Sequence, residues 1–296
     1  MSPSPLPDFP PPPGCSGKPV WTGNGFRLDN GVTPVLVYHE PSSGWTGELT
    51  TFHEEVSDGK HFIDAASRRR TLNAAARWMA RPDGAILDIG CSSGYMIRDF
   101  QRRFPQASIL GADTVPGPLK ALAASLPGVP LLQFDLACCP LPDASIDVAV
   151  LINVLEHIED DAAATRQVWR ILKPGGIAVV EVPYGPHLFD VYDLQLLHHR
   201  RYETKAIEAM LRGAGFEILE RSHLGFFLYP AFRAVKLRNR RFLNEPPEVQ
   251  RKIVAQTIVK SGSKFLPGAV MRMEELLRRW IPFPAGIRCL FTCRKR

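Results

Sequence analysis

The fold is decided by residues 86–95, which read Ile-Leu-Asp-Ile-Gly-Cys-Ser-Ser-Gly-Tyr. Apolar residues at 85–89 predict a short buried strand, and a helix-forming stretch, 95–104, follows at once. Between them stand Gly90 and Gly94. Glycine lacks a Cβ atom, so the backbone can turn sharply and approach a ligand closely. The spacing is G-x-x-x-G, which disfavours the G-x-G-x-x-G fingerprint of a dinucleotide site and so argues against a nicotinamide oxidoreductase.

Outward from this turn, short apolar runs alternate with helical segments. Predicted strands lie at 108–112, 130–134, 146–152, 177–182, 216–221 and 287–292. Predicted helices lie at 63–80, 119–125, 161–172, 204–211, 249–259 and about 270–280. Continuous apolar strands separated by helices are typical of a parallel sheet that is covered on both faces. The sequence therefore predicts an α/β fold with a Rossmann-like, doubly wound, mostly parallel sheet.

The composition excludes several classes of protein. Of the 296 residues, 45% are hydrophobic and 22% are charged, which is typical of globular domains. The longest apolar stretch, 224–232, is far shorter than the ~20 residues of a membrane-spanning helix, and residues 1–14 lack the pattern of a signal peptide. Six cysteines without a C-x-x-C pair indicate reduced thiols and a cytoplasmic protein.

Three carboxylates follow successive predicted strands: Asp88, Asp113 and Asp135. Ligands of doubly wound sheets bind at the carboxyl ends of the strands. A carboxylate after the second strand can accept hydrogen bonds from both hydroxyls of a ribose, and the other acids suit a ligand with an ammonium group and a positive centre. A single aspartate could be a turn or cap residue, but three in register with successive strands indicate a ligand site.

These segments resemble the class I S-adenosylmethionine-dependent methyltransferase family, in the group that includes small-molecule and ubiquinone-biosynthesis enzymes. The resemblance covers residues 86–222. It is carried by residues 87–94 (LDIGCSSG), 111–113 (GAD), 134–136 (FDL), 151–157 (LINVLEH), 172–176 (LKPGG) and 214–216 (AGF). The family fold implies that the last strand of the sheet is antiparallel and that the insert before it is helical.

The resemblance also implies which residues bind S-adenosylmethionine. The glycine turn would line its methionine part, through Asp88, Gly90, Cys91, Ser92 and Gly94. The next two strand ends would hold the nucleoside: Asp113 the ribose, Thr114 the adenine edge, and Asp135 with Leu136 the adenine amino group. After the fourth strand, Asn153 would lie near the sulfonium.

Methyl transfer is an in-line displacement, so the protein must mainly position the acceptor and exclude water. A base is needed only where the acceptor loses a proton, as a hydroxyl does. The predicted catalytic residues are Glu156 and His157 after the fourth strand, and His199 and Tyr202 in the polar segment 183–202. That segment is predicted to be the acceptor loop, and its other histidines are His187 and His198. Helix capping and core packing are the structural alternatives for these residues.

Two further site types are disfavoured. Ubiquinone-type O-methyltransferases carry an E-x-x-E-H metal set, but Asn153 replaces the first carboxylate here, so no metal is predicted. Nucleic-acid amino-methyltransferases usually show Asp/Asn-Pro-Pro-Tyr/Phe after the fourth strand. This chain has Asn-Val-Leu-Glu at 153–156, and nucleic acid is therefore not expected as a partner.

The predicted regions are a proline-rich tail (1–20), an N-terminal cap and helix (21–80), the cofactor-binding methyltransferase core (81–223), a basic helical insert (224–285) and the last strand (286–296). Residues 221–296 hold 17 Lys/Arg against 4 Asp/Glu. Such a surface either binds an anionic partner or is simply solvated. Within 226–241, the aromatic residues Phe226, Phe227, Tyr229 and Phe232 precede a basic run that includes Lys236, Arg238, Arg240 and Arg241. This pattern suits a lid, a homodimer surface or a peripheral membrane contact.

The sequence thus predicts S-adenosylmethionine-dependent methyl transfer, at oxygen, to a small-molecule or lipid-linked acceptor. A C- or N-methyltransferase acting on an envelope or natural-product intermediate is an alternative. A second alternative is a binding module that keeps the cofactor fold without catalysis. Neither the acceptor nor the oligomeric state follows from the sequence.

Overall fold

An eight-stranded sheet and a small three-stranded sheet organise the chain in a computed structural model, which describes residues 6–39, 61–260, 265–278 and 280–296. The strands are β1 (Val20–Trp21), β2 (Phe26–Leu28), β3 (Gly31–Thr33), β4 (Val35–Val37), β5 (Ala85–Ile89), β6 (Ser108–Asp113), β7 (Leu131–Gln133), β8 (Ile146–Ile152), β9 (Leu172–Pro183), β10 (Phe216–Leu224) and β11 (Arg288–Lys295). The helices are α1 (Phe62–Trp78), α2 (Tyr95–Arg103), α3 (Pro116–Ser125), α4 (Asp161–Ile171), α5 (Val191–Gln195), α6 (Thr204–Gly213), α7 (Tyr229–Asn239), α8 (Pro247–Lys260) and α9 (Phe265–Leu277).

The strand order of the large sheet is β10-β11-β9-β8-β5-β6-β7-β4. Strands β4 to β9 pair in parallel, whereas β11 lies antiparallel between β9 and β10. The chain passes from β5 outward to β7 and then returns to β8 on the other side of β5. The carboxyl ends of β5, β6, β7 and β8 therefore meet at one edge, on both sides of the reversal point where such sheets bind ligands. The predicted fold class and antiparallel last strand are confirmed.

Burial on both faces explains why the central strands read as continuous apolar runs. All five residues of β5 are buried. Two clusters of apolar side chains cover opposite faces, one including Leu87 and Leu110, the other Ile86 and Ile109. Because neighbouring strand residues point to opposite faces, each of these strands needs apolar residues at successive positions.

The N-terminal segment contributes a strand that the sequence does not reveal. β4 extends the large sheet by pairing in parallel with β7. Upstream, the aromatic ring of Phe9 is buried and packs edge-on against Phe26, with 5.1 Å between ring centroids. The hydroxyl of Tyr38 donates to the carbonyl oxygen of Pro10 (2.9 Å). The described part of the proline-rich tail thus packs against the domain through Phe9 and Pro10. Residues 40–60 of the predicted cap lie outside the described residues.

The insert between β10 and β11 is helical, as predicted. Helices α8 and α9 correspond to the two predicted ones, with α9 ending at Leu277 rather than near Trp280. Helix α7 was not predicted, because its apolar and basic residues alternate without a clear helical period. Residues 261–264 and 279 of the insert lie outside the described part of the chain.

Two further observations concern predictions about the environment of the protein. The six cysteines are all free thiols. Among the helices of the described residues, none combines the length and the apolar character that crossing a bilayer requires.

Candidate functional site

The turn between β5 and α2 is fastened to the neighbouring strand. The backbone N–H groups of Gly90 and Cys91 both donate to the carbonyl oxygen of Ala112, at 2.8 and 3.0 Å. Gly90 and Gly94 have φ of +73° and +72°, a conformation that costs glycine little and other residues more. Ser92 also has a positive φ, of 44°. The turn is therefore a fixed platform at the end of β5.

Close packing is a second reason for glycine at both positions. A Cβ atom on Gly90 would lie 2.7 Å from Cγ2 of Val154, which follows β8. A Cβ atom on Gly94 would lie 2.5 Å from Cδ1 of Leu122 in α3. The turn thus packs against both the end of β8 and the helix after β6.

Asp113 ties the end of β6 to this turn. Its carboxylate accepts the backbone N–H of Ser92 at 2.9 Å and that of Val115 at 3.0 Å. A carboxylate offers about four lone-pair positions, so it can accept hydrogen bonds from backbone N–H groups and from ligand hydroxyls together. Both Asp113 and Thr114 are half-buried, which leaves them accessible from the ligand edge.

Asp88 lies beneath the turn. Its side chain is buried, and its Oδ2 atom has no hydrogen-bond partner among the described residues. Burial, reinforced by the charge of Asp113, raises the pKa of Asp88 to about 8. Burial likewise raises the pKa of the Cys91 thiol well above its ordinary value, which keeps the thiol neutral. A positively charged ligand at this edge would favour the ionised form of Asp88.

The remaining predicted cofactor residues follow β7 and β8. The carboxylate of Asp135 accepts the N–H of Ala137 (2.9 Å) and so caps the turn that buries Leu136. Asn153 has φ of +54°, which asparagine tolerates, and its N–H donates to the carbonyl oxygen of Glu181 (3.0 Å). All ten predicted cofactor residues therefore lie on the ends of four neighbouring parallel strands or directly after them.

These features fit S-adenosylmethionine. An orphaned buried carboxylate oxygen, on Asp88, suits a ligand that brings a positive centre and an amino group. The half-buried carboxylate of Asp113 suits a ribose. Gly90, directly after β5, is exposed at this edge, so a ligand can approach its backbone.

Glu156, His157 and His198 lie together, the first two after β8 and the third after α5. Both carboxylate oxygens of Glu156 are fully buried without a hydrogen-bond partner among the described residues, and burial raises the pKa of this group to about 8. The ring of His198 meets that of His157 edge-on at 4.7 Å. One donor atom from each of the three side chains lies within 4.8 Å of the others. In the sequence, Glu156 and His157 match only part of the E-x-x-E-H metal set. In the structure His198 adds a third potential ligand, so these three residues could hold a cation.

His198 is oriented by a buried charge network. Its Nδ1 lies 3.0 Å from the carboxylate of Asp193, which also accepts hydrogen bonds from Arg201 and Lys236, both at 2.8 Å. Lys236 donates to Asp190 as well (2.6 Å). Although burial raises the pKa of Asp193, the charge of Lys236 and the hydrogen bond with His198 outweigh it and hold this pKa well below the usual range. Burial lowers the pKa of His198, so its ring is neutral near pH 7.

Two predicted catalytic residues lie elsewhere. His199 is exposed, and it meets Glu156 only through its backbone N–H, which donates to the Glu156 carbonyl oxygen (2.8 Å). Tyr202 is buried, and its hydroxyl donates to Asp161 (2.7 Å). Burial, followed by that hydrogen bond, raises the pKa of Tyr202, which disfavours a role in accepting protons.

Sequence reasoning chose His199 over His198 because adjacent histidines look alike in a polar segment. One signal was available nearby. Asp190 and Asp193 form a capping box at the start of α5, which the D-x-x-D spacing indicates. That motif predicts a short helix and places Asp193 at the start of α5.

The predicted contact segment 226–241 is only partly a surface. Lys236 is buried in the network described above. Phe226 stacks on Phe283, with ring centroids 4.9 Å apart. The arginines of the segment, in contrast, face solvent: Arg233, Arg238, Arg240 and Arg241.

The fold is a Rossmann-like domain, and the acidic residues and glycine turn at its strand ends fit a nucleoside with a positive centre. Residues 87–180 match the family described as a methyltransferase domain. A Mycolicibacterium smegmatis protein named "Probable S-adenosylmethionine-dependent methyltransferase" is 33% identical over 138 residues, which are 45% of this chain and 52% of that protein. Residues 87–180 therefore form a methyltransferase domain of the class I S-adenosylmethionine-dependent type.

Solved structures agree with this fold. An S-adenosylmethionine-dependent methyltransferase from Mesorhizobium loti superposes with a TM-score of 0.51 at 19% identity, covering 79% of this chain and 100% of that one. The cyclase SpnF gives a TM-score of 0.51 at 22% identity and covers 77% of this chain and 80% of its own. The chain spans about half the length of the curated relatives it matches.

Proposed function

We propose that the protein transfers the methyl group of S-adenosylmethionine to an oxygen of a small-molecule or lipid-linked acceptor. The observation that carries this proposal is the acidic glycine turn. It combines Asp88 and Asp113 with an open backbone at Gly90, at the edge where the ends of four parallel strands meet. Relatives named as methyltransferases support the same reaction class.

The protein's contribution to binding is a set of fixed donors and acceptors. Asp113 binds the ribose hydroxyls while holding the turn in place through Ser92. Asp88 offers its unpaired oxygen to the positively charged methionine part. Asp135 and Leu136 flank the adenine. Because the carboxylates of Asp113 and Asp135 are already held by backbone hydrogen bonds, little of their conformational entropy is lost on binding.

When bound, the cofactor supplies a methyl carbon activated by its sulfonium. The chain holds the acceptor oxygen in line with that carbon and excludes water. An oxygen acceptor must also lose a proton, and the cluster of Glu156, His157 and His198 provides groups to accept it. The neutral ring of His198 suits that role, since its Nδ1 is held by Asp193.

Helix α7 acts as a lid over the acceptor segment. Lys236 reaches from α7 to both Asp190 and Asp193, and Arg240, just after the helix, donates to the carbonyl oxygen of His187 (2.9 Å). These contacts join the insert to the loop after β9. They favour a lid over a homodimer surface for this part of the insert, because the polar groups are already satisfied within the chain.

The acceptor atom separates this proposal from C- or N-methylation. An amine acceptor enters as the free base and needs no strong proton acceptor, whereas a hydroxyl does. The buried, unpaired carboxyl of Glu156 beside two imidazoles favours oxygen.

The first test is calorimetric titration with S-adenosylmethionine and S-adenosylhomocysteine. We expect micromolar binding that Asp113→Ala abolishes and Asp113→Asn weakens. The matched control is Asp143→Ala, which removes an exposed aspartate remote from the turn and leaves binding unchanged. Failure of the folded wild type to bind either compound contradicts the site assignment.

The second test separates an enzyme from a binding module. Release of S-adenosylhomocysteine is measured with a panel of hydroxylated acceptors, including glycolipids. Turnover that His157→Ala and His198→Ala reduce, with cofactor binding intact, supports catalysis. Binding without turnover on any acceptor of the panel favours the binding module.

A further inference from the structure

Exposed apolar side chains concentrate around α9. Fourteen large hydrophobic side chains of the described residues are exposed, and five of them fall within 266–281. These five are Leu266, Met273, Leu276, Trp280 and Ile281, and Trp280 is 84% exposed. Single exposed apolar residues are ordinary on protein surfaces, but a group of this size marks an interaction site.

Helical geometry gathers most of these side chains on one face. Leu266, Met273 and Leu276 lie seven and then three residues apart, so they form a stripe along α9. The opposite face points inward, where Met271 and Glu274 are buried. The stripe is therefore a fixed outward surface of the helix.

The buried side of α9 is locked by Glu274. Its carboxylate accepts the N–H of Gly225 (2.8 Å) and a hydrogen bond from Arg70 (3.4 Å). Next to it, Glu275 pairs with Arg69 (3.1 Å). Rotating the helix to hide the stripe would leave a buried carboxylate without its partners, which costs several kcal/mol. The exposed stripe is thus the arrangement that the rest of the fold enforces.

The charges beside the stripe are positive. Arg272 is exposed on the helix next to the stripe, and the half-exposed Arg278 follows the last helical residue, two positions before Trp280. Neither arginine forms an ion pair with any of the described residues. The two acidic residues of α9, Glu274 and Glu275, already form ion pairs with arginines of α1. The whole region 221–296 carries 17 Lys/Arg against 4 Asp/Glu. An occupant of this face must therefore offer both apolar contact and negative charge.

We propose that this surface, the α9 face (Leu266, Met273, Leu276, Trp280, Ile281, Arg272 and Arg278), docks on an anionic lipid bilayer. An amphipathic helix with apolar residues on one side and arginines at its border lies in the interface, and tryptophan is enriched at that depth. The arginines reach the headgroups while their stems remain among apolar groups. A second copy of the chain fits less well, because a two-fold interface would bring the same arginines together.

Docking on lipid does not depend on methyl transfer, so it is tested without cofactor or acceptor. The full-length chain is sedimented with extruded vesicles of phosphatidylcholine alone or mixed with phosphatidylglycerol, at low and high salt. We expect binding to the mixed vesicles and a marked loss in high salt, where the charge contribution is screened. Tryptophan emission quenched by brominated lipid, and reduced in Trp280→Phe, places the α9 face at the membrane.

Two variants divide the apolar from the charged contribution. Leu276→Ser with Trp280→Ser should lower the vesicle partition coefficient at least about tenfold, since each apolar side chain contributes a kcal/mol or more on burial. The matched control is Val32→Ser, a substitution at a similarly exposed position (70% against 63% for Leu276) in the small sheet. It should bind like the wild type.

Arg272→Gln with Arg278→Gln should weaken binding to the mixed vesicles about fivefold per arginine, from ~1 kcal/mol for each basic residue near an anionic surface. The control replaces two exposed arginines elsewhere, Arg27→Gln with Arg166→Gln. Far-UV circular dichroism confirms that each variant is folded.

Three results overturn the proposal. The first is no sedimentation of the wild type with the mixed vesicles at low salt. The second is equal binding by the α9-face variants and their controls. The third is a wild-type dimer in light scattering, without vesicle binding, that Leu276→Ser dissociates, since that assigns the face to a second copy. Loss of S-adenosylhomocysteine binding bears only on the cofactor site.

Discussion

Replacing Gly90 by alanine tests the close packing at the glycine turn. The substitution adds one Cβ atom in a backbone conformation with φ of +73°, and this atom lies 2.7 Å from Cγ2 of Val154. The left-handed conformation costs a non-glycine residue about 1–2 kcal/mol. The collision adds about 1–3 kcal/mol, as overpacking does elsewhere, because a β-branched valine cannot easily turn away.

Gly90→Ala is therefore expected to lower the free energy of unfolding by about 2–5 kcal/mol, measured by urea denaturation. S-adenosylhomocysteine binding should weaken as well, since the turn must shift. Gly117→Ala is the matched control: a Cβ atom there meets nothing within 4 Å, and its φ is not positive. That variant should unfold within about 0.5 kcal/mol of the wild type.

A double-mutant cycle isolates the collision from the conformational cost. Val154→Ala removes the atom that the new Cβ strikes but leaves φ unchanged. Gly90→Ala with Val154→Ala should be more stable than the sum of the single effects predicts, by about 1–3 kcal/mol. Additive effects, or a Gly90→Ala protein as stable as the wild type, would refute the packing account of this glycine.

Three further substitutions probe buried groups. The folded pKa of Asp88 (about 8) exceeds its ordinary value of 3.8, so its contribution to stability is present below pH 3.8 and is lost as the pH rises towards 8. The free energy of unfolding of Asp88→Asn should therefore rise relative to that of the wild type by a few kcal/mol between acid pH and pH 8, measured by urea denaturation at each pH. Parallel pH profiles of the two proteins would contradict this. Tyr202→Phe removes the hydrogen bond to Asp161. It should lower the free energy of unfolding by about 1–2 kcal/mol and leave turnover per folded molecule unchanged. A loss of turnover without a loss of stability would instead make Tyr202 catalytic. Lys236→Met leaves two buried carboxylates short of a cation, so it should lower the free energy of unfolding by about 3–5 kcal/mol in thermal or urea unfolding. Arg238→Met, at an exposed position of the same helix, should cost little. Similar losses for both variants would contradict the buried network.

The strands of the core were predictable because their signal is local. A buried parallel strand needs several consecutive apolar residues, and a helix must separate it from the next. The strand β4 has only three residues, and its pairing with β7 joins segments about a hundred residues apart. Such a short strand carries no periodicity, so only the folded sheet reveals it.

The predicted cofactor edge illustrates the same limit within the site. Asp88, Asp113 and Asp135 follow from the rule that ligands bind at strand ends. The bond from Ser92 to Asp113 does not follow from it, since that bond depends on how the turn folds back over β6. In the segment after β9, His198 and His199 are neighbours in the sequence, yet His198 is held by Asp193 and His199 faces solvent.

The sequence by itself determined the core strands β5 to β11, the glycine turn and the acidic residues at the strand ends, because each depends on residues close together in the chain. Only the tertiary structure decided which charges are internal: Lys236 is buried among carboxylates, whereas Arg238 on the same helix faces solvent. It also decided that the apolar stripe of α9 points outward, since the buried Glu274 fixes the rotation of the helix. Burial and ion pairing depend on partners far away in sequence, and the free energy of a charge depends on the surroundings that those partners create.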